Sequence, residues 1–350
     1  MKTDADIVRG LLAGHDPARA VRADVPERER ALEAILTEPP AVDSVTRKRW
    51  RPRWRTMAVV ATAAAATAIV GLTALPQLRT THVSRVTTPP LLELKQPVYG
   101  AAATKALRDL AARAERQPDT IGHGRVVYSK IQGWYLDSTV SRRRTSAVVV
   151  PRTEEQWVAP DGSGRQLAGA GRPWFPTAKS RQEWERQGRP PLGARDSDDR
   201  FGPGGLSGDP DVDKLPTDPA ALRRELEKSG TDLKGAAVLL EAEGDLWRQP
   251  LRPALQGALL RLLADSGEMG YAGPVRDRAG RAGVAFTLDQ NQTGLPERDV
   301  IIFDRRTGRA LSEETILTKD PGKLPVRIPS VTSYTLFLGS GRVDGMNERP

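Results

Sequence analysis

The sequence predicts an α+β protein in which one transmembrane helix carries an extracytoplasmic antiparallel sheet, half-open and barrel-like, with helices packed on one face. Three observations predict it. Residues 57–75 run without a charge for about the thickness of a bilayer core. Beyond residue 125, stretches that alternate apolar and polar residues stand on either side of a helical middle, the order of an α+β domain. The dipeptides Asp161-Gly162, Ala279-Gly280 and Thr307-Gly308 supply the Gly that short hairpin turns need.

Taken in order, residues 1–56 read as a cytoplasmic head. Ile7, Leu11 and Leu12 before Gly14 suggest one short helix. Pro26 followed by Leu32, Ile35 and Leu36, with Pro39 and Pro40 as the stop, suggests a second. Two narrow apolar stripes bury little core, so the head is either loosely ordered or folded on a partner.

Residues 57–78 read as the transmembrane helix. Its uncharged part, 57–75, spans roughly 28 Å at the helical rise, and insertion rests on Met57, Val59, Val60, Ile69, Val70, Leu72 and Leu75. Six cations crowd in front of it at Arg47, Lys48, Arg49, Arg51, Arg53 and Arg55, against Arg79 and Arg85 behind. The positive-inside rule therefore places the N-terminus in the cytoplasm and the bulk of the chain outside the cell membrane. The run begins too far along for a cleaved signal peptide, which makes it a signal anchor. Trp50 and Trp54 among the arginines fit the interfacial aromatic belt over an anionic inner leaflet better than a base-stacking stripe. Ala63, Thr67 and Gly71 form a small-residue ridge on which two spans could meet.

The net charge of +9 does not by itself mean nucleic acid, because the local excess sits in this juxtamembrane cluster and on no single folded face. Membrane lipid is the expected partner of the cluster, and nucleic acid is not expected.

Residues 79–99, with Pro89 and Pro90, read as an extended stalk, and 100–345 as the extracytoplasmic domain. A first helix carries Leu107, Leu110 and Ala114 on one stripe. Strands are expected at 126–131, 134–141, 146–150, 155–159, 284–288, 299–303, 314–317 and 331–338. Between them, Asp218 before Pro219 marks a capped helix start, 234–247 a second helix, and Pro253 to the stop at Gly267 a third with Leu255, Leu259, Leu262 and Leu263 inward.

No Cys is present, which removes disulfides, thiolate zinc sites, iron–sulfur clusters and a cysteine nucleophile. His15, His82 and His123 lie far apart, so neither a His-rich metal cage nor a Ser/His/Asp device is suggested. Asp209, Asp211 and Asp213 begin like a calcium loop, but Lys214 stands where Gly is needed and Ala220 where the bidentate Glu belongs. Glu154/Glu155 and Glu313/Glu314 tempt a glycosidase reading, yet neighbours on a strand point apart. His123 between two glycines reads as a loop histidine. Neither cofactor, metal nor catalytic residues are therefore expected. Aromatic side chains could line a groove for an apolar ligand or a platform for sugars, with Trp134, Trp157 and Trp174 as candidates, although in a domain with so few aromatics they read first as core.

The runs Gly133-Trp134-Tyr135, 155–165, 215–222, Phe303-Asp304 with Thr307-Gly308-Arg309, and 340–344 resemble an uncharacterised family of actinobacterial single-pass membrane proteins. Members are often encoded beside extracytoplasmic-function sigma factors, which implies an accessory role in envelope signalling. The strand–turn–strand runs at 277–288 and 299–317 look like the lipoprotein-carrier fold, which sigma-factor regulators share. The resemblance carries over no catalytic residue. It implies a non-catalytic extracytoplasmic sensor or accessory regulator that contacts a sigma factor through residues 1–40. The alternative is a membrane-tethered carrier of an apolar envelope ligand, and an envelope hydrolase would need a carboxylate pair that only the fold can bring together.

Overall fold

The computed structural model describes residues 88–140, 145–171, 175, 178–186, 195–206, 211–228, 235–322, 324 and 326–350. The head, the 57–78 span, and Arg47, Lys48, Arg49, Trp50, Arg51, Arg53, Trp54 and Arg55 lie outside the described residues, as do Asp209 and Trp174. Among the described residues no helix is long and apolar enough to cross a membrane.

The domain runs α1 (Ala101–Glu115), β1 (Val126–Val140), β2 (Thr145–Val158), β3 (Gly164–Ala170), α2 (Ala178–Arg186), β4 (Ser197–Phe201), α3 (Pro219–Glu227), α4 (Ala236–Trp247), α5 (Pro253–Ser266), β5 (Gly270–Arg276), β6 (Ala282–Gln290), β7 (Glu297–Phe303), β8 (Ala310–Leu317) and β9 (Ser330–Val343). This is α+β, with one antiparallel sheet of order β4-β3-β2-β1-β9-β8-β7-β6-β5 that does not close. Two meanders, β1–β4 and β5–β9, are joined where the first strand pairs with the last. Between the two sheet edges, β4 and β5, lie the helices α3, α4 and α5.

Local chemistry explains the helices. The Asp218 side chain accepts from the Ala221 N–H at 2.8 Å, and Pro219 fills the first helical turn of α3, where its missing N–H costs nothing. Gly267 ends α5 in the left-handed region at φ 72°, which Gly adopts without penalty. The α5 helix is buried along nearly its whole circumference, and α1 brings Leu107, Leu110, Ala111 and Ala114 against it.

Strand alternation then gives the sheet two covered faces. The β1–β2 register is unbroken, so positions an odd number apart face opposite ways. Ile131 of β1 packs with Leu259, Phe286, Ile301, Phe303 and Phe337 in the core beneath the helices. Trp134, three residues on, falls on the other, outer face.

Irregular chain covers that outer face. Leu92 and Leu94 pack on Ala285, Val300, Ile302 and Val331. Thr88 Oγ1 meets Ser330 Oγ at 2.7 Å, Arg278 donates to the Pro90 carbonyl at 3.0 Å, and Val98 pairs with Tyr271 on the β5 edge. Residues 88–98 of the expected stalk are thus extended and docked along the sheet, not free of it.

Candidate functional site

The helix-facing interior holds polar atoms that nothing in it satisfies. In α4, Leu239, Leu240 and Leu246 are buried, as the apolar sequence of this helix demands. Glu243 shares that inward side and is 0% exposed, with Trp247 one turn later on the same face. Both Glu243 carboxyl oxygens, the Trp247 indole N–H and the Gln249 side-chain nitrogen are buried without a hydrogen-bond partner. Native interiors rarely leave such groups unpaired, and three within seven residues of one helix and its exit demand an explanation.

Their surroundings are apolar and aromatic. The Trp247 ring meets Phe303 edge-on at 5.3 Å, Phe303 meets Phe286 at 6.1 Å, and Phe286 meets Tyr271 at 5.4 Å. Burial pushes the Glu243 carboxyl well above the ordinary carboxylate range, against a smaller pull from the Arg223 charge. Burial thus favours the protonated form of the side chain, which can donate one hydrogen bond and accept others.

Where α4 ends, Arg248 turns toward β2. Its guanidinium, 7% exposed, lies 3.7 Å from Glu154 Oε1 and 3.4 Å from Gln156 Oε1. The polar strip continues across β1 and β9. Tyr135 lays its ring back over Gly133, where a Cβ would stand 2.3 Å from the ring, so this strand position accepts only Gly with that rotamer. The Tyr135 hydroxyl meets Thr335 Oγ1 at 3.0 Å, and the Arg152 guanidinium lies 5.7 Å from its ring centre. Burial first, then the Glu313 and Glu154 charges, push the phenol up to about 12 against Thr335 and Arg152, so it stays protonated. The interior thus grades from an aromatic, leucine-lined half to a hydrogen-bonding half.

The residues singled out from sequence distribute differently. Trp134 and Trp157 both lie on the outer face, in separate clusters: Trp134 with Val149, Leu317 and Val326, and Trp157 with Val126, Tyr128 and Val343. Trp157 is 0% exposed and Trp134 8%, so the two line no common open groove. Glu154 and Glu155 point to opposite faces, as do Glu313 and Glu314. Glu154 and Glu313 do share the helix-facing side, around Tyr135. His123 and Asp213 meet in a shallow cleft of about 450 Å³ that Asp119, Arg125 and Arg342 also line. There Asp213 pairs with Arg342 and lies 4.0 Å from Arg252, while Asp211 pairs with Lys214 at 3.1 Å. Among the described residues no group of three His, Asp or Glu is placed to hold a metal ion.

Glu243, Arg248 and Gln249 went unnoticed in sequence. Their signal is an acid set among Leu239, Leu240, Leu246 and Trp247, at a helical spacing that keeps it on the apolar side.

No family model and no curated relative matches the chain. Among solved structures, a LolA superfamily protein from Nitrosomonas europaea is a weak neighbour: 7% identity, TM-score 0.14, covering 71% of this chain and 94% of that one. The dehydratase domain of the CurK module of curacin polyketide synthase superposes as loosely, at 12% identity and TM-score 0.13, covering 71% of this chain and 85% of its own. Neither superposition is close enough to carry an argument about activity.

Proposed function

We propose that the chain is a non-catalytic binding protein, held at the cell membrane by a span at 57–78, whose helix-facing interior takes an amphiphilic envelope molecule. One observation carries the reading: the buried, unpartnered polar atoms of Glu243, Trp247 and Gln249 in an otherwise apolar core. A ligand with a hydrocarbon body and a hydrogen-bonding group satisfies both kinds of surface, and leaving such a site empty keeps its polar groups unpaired. Burial favours the protonated forms of Glu243 and Tyr135, which suits them to recognition by hydrogen bonds.

The membrane assignment rests on the cations before the uncharged run. Reporter fusions after Val42 and after Gly100 are expected to report cytoplasm and exterior. A second reading, in which residues 1–40 contact a cytoplasmic regulator such as a sigma factor, is favoured by the two apolar stripes of the head. Its mark is a cytoplasmic protein that co-purifies with the full chain and is lost on Leu32→Asp.

The binding reading is tested on the full-length protein taken from membranes in polymer discs, with native mass spectrometry for bound amphiphiles and displacement of dansyl-undecanoate. Wild type is expected to bind and Glu243→Leu to lose at least about tenfold in affinity, the scale of one buried hydrogen-bonding group. Absence of any bound amphiphile together with no probe binding overturns it.

A further inference from the structure

On the outer face, far from the strip just described in chemical character, residues 344–350 fold back over the strands that carry them. The Glu348 N–H donates to the Gly345 carbonyl at 3.3 Å, closing a turn, and the Glu348 carboxylate accepts from the Asp344 N–H at 3.0 Å. The segment then makes contacts of four chemical kinds. Met346 packs against the cluster of Val126, Tyr128, Trp157 and Val343. The Trp157 indole N–H donates to the Glu348 carbonyl at 2.6 Å. The Arg349 guanidinium donates to Glu155 at 2.5 Å and lies 5.4 Å from the Trp157 ring centre. Arg165, which also lies over Trp157, reaches the Asn347 side chain, and the Pro350 ring fills the space above Gly341 that a Cβ would take.

The surface beneath also has contacts of its own within the sheet. Tyr128 donates to Glu155 at 2.8 Å and Lys130 at 3.2 Å, while Arg165 is clamped by both oxygens of Asp198 at 2.7 Å. Yet residues 347–350 are themselves exposed, whereas the Trp157 they cover is fully buried. A thin outer layer over a pre-positioned indole, an acid and a backbone-reading donor has the anatomy of a bound peptide: an apolar anchor, a carbonyl contact and a stacked, paired arginine.

We propose that this surface of β1–β3 is a peptide-docking site that residues 345–350 fill in cis and that the same segment of a second copy fills in trans. The second copy is the occupant because the segment that matches the surface at each point is present in every copy. Short-tether docking outcompetes a free partner through its effective concentration, so exchange needs the cis contact to be withdrawn.

The test uses two full-length variants with different affinity tags. In Glu155→Arg the surface rejects the chain's own segment; in Arg349→Glu the segment rejects its own surface. Charges match only across a mixed pair. Mixing is expected to give association about tenfold or more above either variant alone or wild type, the effect of matching a stacked charge pair, and the variant with both changes is expected to behave as wild type. A synthetic peptide of residues 344–350 is expected to bind the Arg349→Glu chain saturably, and a peptide carrying the same Arg349→Glu change to bind it at least tenfold more weakly. No gain on mixing together with no saturable peptide binding overturns the proposal. Peptide binding without a gain on mixing overturns the second copy as the occupant.

Discussion

Two carboxylates on opposite sides of one sheet, Glu155 and Glu243, are held in opposite ways. On the outer face, Glu155 is partly buried, and burial alone would raise its carboxyl. Hydrogen bonds from Arg349, Tyr128 and Lys130 outweigh that and bring it down to about 2. On the helix-facing side, Glu243 is wholly buried, has no hydrogen-bond partner and is pushed up. Glu155 keeps some exposure and several donors, while Glu243 has neither, and the two shifts follow from that difference. On the outer face Glu155 is met by three donors, although Glu314 there keeps one unpaired oxygen, whereas the helices that enclose Glu243 offer it no donor at all. The first arrangement favours stability and the second leaves chemistry for something else to complete.

Substitutions sharpen that contrast, and the largest effect belongs to the inner core. Phe303→Ala removes a ring held by Trp247 and Phe286 and is expected to cost about 3–5 kcal/mol in urea unfolding of the full chain. Gly133→Ala drives a methyl into the Tyr135 ring and is expected to cost about 1–3 kcal/mol. That cost should shrink in a Tyr135→Ala background, and a cost that stays unchanged would mean the ring is not what the methyl meets.

Glu243→Gln works in the other direction. A carboxyl whose folded pKa is raised stabilises the fold below its ordinary 4.5 and loses that contribution as pH rises toward the folded value. Glu243→Gln is therefore expected to raise the melting temperature at pH 8 and to change it little at pH 4. Asp218→Ala, which takes away the α3 cap, is expected to cost about 1 kcal/mol at neutral pH. The smallest effect falls on Glu155, where the sign reverses: its contribution is present above 4.5 and is lost as pH falls through about 2. Residues 345–350 are then expected to gain amide exchange across that acid window, before the sheet does.

Much of this was legible in the chain because it is local. Asp218-Pro219, Pro253 and Gly267 punctuate their helices through contacts within a few residues, and the period of α5 declares its buried side. The strands β3, β4 and β5 and the helix α2 were not expected. Gly164, Gly169, Gly270, Gly273 and Pro274 dilute the β-forming pattern, and α2 carries many charges. Those strands owe their place to neighbours already in the sheet. The groove of Trp134, Trp157 and Trp174 shows the other limit. Side-chain type marks an aromatic as buried, but only register says on which face, and the register of β1 and β2 sends Trp134 and Trp157 away from the helices. The polar strip at Tyr135, Glu154 and Glu313 is likewise assembled by pairing across β2, β1, β9 and β8, none of which is local.

The pairing of β1 with β9 also sets the order in which the domain can come together. Each meander closes through hairpins of short sequence separation, whereas Val126 and Val343 must find each other across the entire length of the domain. Contacts that far apart form slowly, since most of the chain entropy is lost before they are made. The β1–β9 seam, the pairing of greatest sequence separation in the sheet, is therefore expected to close after the pairings within each meander, whose inner edges β1 and β9 stay open until then.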